Sequence, residues 1–308
     1  MPARVLLLLV AAVAMQAATI PVIVNQVHAA VAAGDLQGAR QELTLYRKAR
    51  GASPEYIEAL SWLGRGELAA KHYGLAEENA TEVRALSLKA LAGRKPDADA
   101  SLSMALGASI EVQAQAAAQQ GRRDQAVAFL RQEVARWHES SIRARIQKNL
   151  NLLTLEGKAA PALEVRSAVT ATKLKTLAEH RGHPVLLFFW AHWCSDCKQE
   201  IGVIEQLQRK YAKRGFEVVA PTQHYGYVAG GQDADVATET TYIRNVFGSY
   251  YAGLGAVETP LSEENFARYG VSTTPTLVLV DGAGTVRLYN PGNLSYEKLA
   301  AKIEPLLK

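Results

Sequence analysis

Phe189-Trp-Ala-His-Trp-Cys-Ser-Asp-Cys-Lys198 decides the reading of this chain. The two cysteines follow a continuous apolar run, Val185-Leu-Leu-Phe-Phe-Trp190, bounded upstream by Gly182 and Pro184. That is the pattern of a strand buried on both faces. Downstream, residues 196–214 carry Ile201, Ile204, Leu207 and Tyr211 at helical spacing. The Cys-x-x-Cys pair therefore falls where a buried strand meets a helix N-terminus. A thiolate is the attacking species in thiol chemistry, and the positive end of a helix dipole with its unpaired N–H groups stabilises it. Cys194, at the exposed start of the helix, is accordingly the expected nucleophile. Cys197, one turn further in, is placed to resolve the mixed disulfide.

The surrounding order is α/β. Residues 216–220 read as a second strand, residues 276–280 and 285–289 as a hairpin around Asp281-Gly-Ala-Gly284, and residues 295–307 as a closing helix. Residues 221–265 exceed an ordinary connection. Gly226, Gly230 and Gly231 mark a loop there, and residues 239–251 read as a helix. His192 is read as a surface-loop histidine.

Composition narrows the chemistry. The chain has 308 residues and only two cysteines. One pair closing so short a loop constrains little of the unfolded chain, so a disulfide-stapled scaffold is excluded. Zinc sites built on two Cys-x-x-Cys pairs are excluded as well. His180, His183 and His192 are not at ligand spacing, so neither a metal nor another cofactor is expected. The net charge of +4 is spread along the chain, which argues against nucleic acid as a partner.

Before the α/β half, residues 25–155 are rich in Ala, Gln, Glu, Arg and Leu, a helical composition. Ala33-Gly-Asp-Leu-Gln-Gly-Ala39, Ala70-Lys-His-Tyr-Gly-Leu-Ala76 and Gln120-Gly-Arg-Arg-Asp-Gln-Ala126 each read as the turn of a helical hairpin. Their spacing, with an insertion near residues 93–99, resembles tetratricopeptide helical pairs. A scaffold or dimerisation role and a groove for a partner protein are both open for this region. At the very start, Arg4 and the apolar run Val5-Leu-Leu-Leu-Leu-Val-Ala-Ala-Val-Ala14 have the parts of a secretory signal over residues 1–18, with a retained membrane anchor as the alternative. No cysteine follows it, so lipid attachment at a lipobox is excluded.

From about residue 160 to 308 the chain resembles the thioredoxin superfamily, in its periplasmic thiol-reducing branch typified by TlpA, ResA and DsbE. The resemblance rests on Ala160-Pro161, on the Trp190-to-Lys198 stretch, and on Thr273-Thr-Pro-Thr276 before a hydrophobic strand. It implies a thioredoxin-like α/β fold, with a central mixed sheet flanked by helices, C-terminal to an all-α helical-repeat domain. It also implies that Pro275 is cis and lies against the cysteines, and that Trp193, Thr274 and Pro275 face the substrate. Thioredoxin carries a buried aspartate six residues before the first cysteine, where this chain has Phe188. The ResA-like proteins carry a glutamate three residues after the second cysteine, and Glu200 stands there. The i, i+3 spacing puts Glu200 on the face of Cys197, where a partly buried carboxylate can take the resolving thiol's proton. Its plainer role is a solvated first-turn residue.

Asp196, between the cysteines, places negative charge near both sulfurs. That opposes thiolate formation and makes the couple more reducing. The leading expectation is thus a thiol–disulfide oxidoreductase in the periplasm or an equivalent extracytoplasmic space. It would reduce protein disulfides and be recharged by a membrane electron donor, with a further protein partner at the helical region as an open role. The alternatives are an oxidase or isomerase on the same fold, or a helical interaction protein with an accessory redox domain.

Overall fold

Turn residues and caps organise the first half into paired helices. The computed structural model describes residues 22–307, so the expected signal peptide lies outside the described residues. Helices α1 (Val22–Ala32) and α2 (Leu36–Arg50), α3 (Pro54–Ala69) and α4 (Tyr73–Leu91), and α5 (Ala100–Gln119) and α6 (Arg123–Arg136) pack as three successive hairpins. The three turns read from the sequence join them. Asp35, Ser53 and Asp99 cap α2, α3 and α5 by accepting backbone N–H bonds from Gly38, Tyr56 and Leu102, satisfying donors that a helix start leaves unpaired. Leu63, Val83, Leu106 and Leu130 lie in the shared apolar core. The interruption near residues 93–99 is a short 3₁₀ turn, Pro96–Ala98. A seventh helix, α7 (Arg143–Thr154), leads toward the second half.

That half contains β1 (Val185–Phe189), α8 (Ser195–Tyr211), β2 (Glu217–Val219), α9 (Val236–Tyr250), α10 (Glu263–Tyr269), β3 (Thr276–Val280), β4 (Val286–Pro291) and α11 (Tyr296–Ile303). The sheet runs β2-β1-β3-β4. β1 is parallel to β2 and antiparallel to β3, with Leu187 opposite Val219 on one side and Val278 on the other. All five β1 residues are buried, which explains the unbroken apolar run. Alternate side chains supply the two faces. Leu186 and Phe188 pack with Ile204 and Leu207 of α8 and Ile303 of α11, whereas Leu187 and Phe189 pack with Phe266, Tyr269 and Leu155. This is the mixed sheet flanked by helices that the resemblance implied.

The long 221–265 segment folds back along the sheet edge, with parallel bridges from Val219 to Glu258 and from Thr222 to Leu261. Its main helix starts earlier than expected, because Asp235 accepts from Thr238 N and caps it there. Helix α10 was not anticipated. Its seven residues are too few for a periodic signal, and the Ser262 cap alone marks its start.

The halves are joined closely. Helix α7 packs on α10, Gly157 N–H bonds Val286 O, and Asn151 Nδ2 reaches Arg268 O. Gly270 ends α10 with φ +63° and lies against the backbone of Gln147 and Lys148. Both the left-handed conformation and the close approach require glycine there.

Candidate redox active site

Strand β1 ends beneath the site, and the next residues are locked in place. Trp190 donates its backbone N–H to Pro221 O and its indole N–H to Ala220 O, both at 3.1 Å. Thr222 Oγ1 donates to Trp190 O at 2.8 Å. Cys194 then occupies the N-cap of α8, and its Sγ accepts from Cys197 N at 3.0 Å. The pair is disulfide-bonded. Both cysteines are buried, Cys194 at 3% exposure and Cys197 at 0%. The sulfur position lies at the positive end of α8, where backbone N–H groups favour a thiolate.

The segment before β3 closes the site from the other side. The Thr274–Pro275 peptide bond is cis, and Thr274 O lies 3.4 Å from Cys194 Sγ. Trp193 projects outward at 50% exposure, edge-on to Tyr225 with ring centroids 5.5 Å apart. The structure therefore brings Thr274 against Cys194, with Trp193 exposed beside Tyr225. Asp196 is exposed in the first turn of α8, with its charge in solvent rather than against the sulfurs.

Glu200 is buried, not a solvated first-turn residue. It follows Cys197 by one turn on the same face and accepts Leu294 N–H at 3.2 Å. Burial pushes its carboxyl above the ordinary glutamate value, and the Leu294 hydrogen bond opposes this only in part. Phe188, at the position of thioredoxin's aspartate, packs in the same core as Cys197 and offers no proton acceptor.

His192 corrects the sequence reading. It is 1% exposed rather than a surface-loop residue. Its Nε2 lies 3.3 Å from Glu239 Oε1, and its ring is ringed edge-on by Tyr225, Tyr227 and Tyr242. Burial holds the imidazole below its ordinary pKa, and Glu239 opposes this only in part. Glu239 also accepts backbone N–H bonds from Tyr225 at 2.6 Å and Gly226 at 2.9 Å. One buried carboxyl thus ties the 221–265 segment to the residues just before Cys194. Sequence reasoning missed Glu239, because it meets His192 across 47 residues and carries no local pattern. The aromatic pair Tyr225 and Tyr227 flanking Gly226 was the one available signal of a built loop.

Among the described residues no cluster of His, Cys, Asp and Glu is arranged to hold a metal ion.

Comparison with known proteins agrees with this geometry. Residues 171–306 match the family model of a thioredoxin-like domain. The thiol-disulfide oxidoreductase ResA of Bacillus anthracis is 28% identical over 150 residues, covering 49% of this chain and 78% of the relative. That of Bacillus thuringiensis subsp. konkukian is 30% identical over 143 residues, covering 46% of this chain and 73% of the relative. A solved structure of a secreted Mycobacterium tuberculosis disulfide oxidoreductase, homologous to E. coli DsbE, aligns at 22% identity and a TM-score of 0.33, covering 42% of this chain and 86% of that one. With its cysteine pair at a helix N-terminus beside a cis-proline, this chain belongs, through its C-terminal half, to the thioredoxin-like thiol–disulfide oxidoreductases of the ResA type.

Proposed function

We propose that the protein reduces disulfides of other proteins in an extracytoplasmic compartment. The single observation that carries the site assignment is the position of Cys194 Sγ, at the start of α8 and 3.4 Å from Thr274 O. In the reduced protein the Cys194 thiolate attacks one sulfur of a substrate disulfide. An S–S bond to Cys194 forms, the substrate's S–S bond breaks, and the second substrate sulfur leaves as a thiolate that takes a proton from solvent. Cys197 then passes its proton to the Glu200 carboxylate and attacks Cys194 Sγ. The substrate's first sulfur departs as a thiolate and takes that proton from Glu200, the protein is left as the Cys194–Cys197 disulfide, and two electrons have moved to the substrate. A dithiol donor at the membrane restores the pair by the reverse exchange. Trp193 and the backbone of Thr274 hold the substrate strand, Pro275 having no N–H to compete for it.

The direction rests on the resemblance to the thiol-reducing branch and on His192, whose burial disfavours its charged form and so withholds from the Cys194 thiolate a cation that would stabilise the reduced form. The location rests on the N-terminal apolar run, residues 5–14. Among the described residues no helix is long and apolar enough to cross a membrane. The test is the reduction potential of the pair. Strong oxidants lie near about −120 mV and thioredoxin near about −270 mV. A value on the thioredoxin side is expected, and one approaching the oxidants would replace reduction by disulfide formation. In the same assay Cys197→Ser accumulates mixed disulfides and Cys194→Ser forms none. Adducts through Cys197 alone would reverse the two roles.

A further inference from the structure

A cleft of about 740 Å³ runs between the helical half and the redox half. Trp62 and Arg65 of α3, Glu111 of α5, and Arg145 and Lys148 of α7 form one wall, and Ser272 and Thr273 form the other. Thr273 immediately precedes Thr274, whose carbonyl lies 3.4 Å from Cys194 Sγ. One wall of the cleft thus ends one residue from the backbone that faces Cys194.

Its polar groups are unevenly satisfied. Glu111 is fully engaged, by Arg145 Nε at 2.6 Å and Lys148 Nζ at 2.9 Å, and these two cations hold its pKa down at about 2. Asp97 at the rim accepts Ser141 N–H. Arg65 is in no ion pair among the described residues. Its guanidinium stacks 4.2 Å from the centre of the Trp62 ring, and one Nη lies 3.6 Å from Met104 Sδ. Its Nε is buried without an acceptor, as is Trp62 Nε1. Buried donors are ordinarily paired, and an unpaired one is costly. Burial, with the nearby charge of Arg145, lowers the Arg65 pKa to about 10, and the charges of Glu111 and Glu58 oppose this only in part.

We propose that this cleft docks an extended, acidic segment of the protein substrate, with a substrate carboxylate on the Arg65 guanidinium. The occupant is argued from charge, since three cations face one neutralised carboxylate and one rim aspartate. It is argued also from position, since Thr273 lines the cleft and is bonded to Thr274, whose carbonyl lies beside Cys194. The helical half thereby acts as the selector for the redox half. This deepens the reductase reading and rests on it.

The test uses the full chain, reduced with dithiothreitol, freed of reductant and followed through a single turnover. Two peptides with an intramolecular disulfide are compared, identical except for a flank of three Glu or three Gln, together with hydroxyethyl disulfide. The Glu peptide is expected to react about tenfold faster than the Gln peptide in dilute buffer, the size of one charge-assisted hydrogen bond. Added salt should narrow the gap. Arg65→Gln should abolish the preference, Arg65→Lys should restore part of it, and Arg50→Gln, an exposed cation at the end of α2, should leave it unchanged. Equal rates for the two peptides, or an equal slowing of both by Arg65→Gln, would overturn docking while leaving the reductase intact. Failure to reduce hydroxyethyl disulfide as well would overturn the reductase reading itself. A measurement on the unaltered protein guards against misfolded variants: a cysteine-free Glu-rich peptide should inhibit reduction of the Glu peptide and spare hydroxyethyl disulfide. Absence of that inhibition, or equal inhibition by free glutamate, would rule out a polypeptide occupant.

Discussion

Cys194 and Cys197 differ in depth by one helical turn, and the proton chemistry of the inner one depends on a neighbour. Glu200 is buried, shares the Cys197 face and has its carboxyl pKa raised by that burial. A thiol at the reference value of about 8.5 is only a few per cent ionised at neutral pH, so resolution needs a base. Glu200→Gln keeps an oxygen to accept Leu294 N–H and removes the base. Formation of the mixed disulfide should be unchanged and its resolution slowed about 100-fold, read by stopped-flow. Only the ionised carboxyl accepts a proton, so wild-type resolution should fall as pH drops through the raised pKa, above the ordinary value of about 4.3. The Gln variant should lack that limb. Stability carries the opposite sign. A carboxyl that binds its proton more tightly when folded favours the folded state below about pH 4.3, and that contribution is lost as pH rises through the folded pKa. Urea melts of the two proteins should therefore show Glu200→Gln gaining relative stability from acid to neutral pH.

At the scale of elements, α9 matters through the turn it anchors. Glu239, in its first turn, accepts from Tyr225 N, Gly226 N and His192 Nε2. Glu239→Ala would leave two backbone donors and a buried imidazole unpaired, costing about 3–5 kcal/mol. Hydrogen exchange should quicken first at Tyr225 and Gly226. Because Trp193 packs on Tyr225, protein substrates should react more slowly than hydroxyethyl disulfide does, relative to wild type. Glu239→Gln, which retains an acceptor, should show a smaller loss. Unchanged exchange at Tyr225 in Glu239→Ala would mean that the turn holds itself without the carboxyl.

For the whole molecule the decisive contact is the joint at α7. Ile146 lies in the helical core and Leu155, just past the helix, in the sheet core. Gly270 meets the α7 backbone with φ +63°. Gly270→Ala adds left-handed strain of about 1–2 kcal/mol and a Cβ with no room, so thermal stability should fall by about 1–3 kcal/mol. The same variant should weaken the preference for the acidic peptide, since the cleft lies across this joint. A melting temperature equal to wild type would show that the halves adjust freely. The strands, the hairpin turns of the helical half and the position of the cysteines were legible because each is written in a local pattern: an apolar run, a glycine between helices, a Cys-x-x-Cys at a helix start. The placing of Pro275 against the cysteines was legible only through resemblance, whereas helical i, i+3 spacing put Glu200 on the Cys197 face and left its burial open. The burial of His192, its link to Glu239 and the cleft beside Thr273 depend on segments brought together from opposite ends of the fold. Sequence determined which elements form and where the sulfurs stand. Tertiary packing decided which polar groups are buried with partners and which without, because that depends on what lies across a contact.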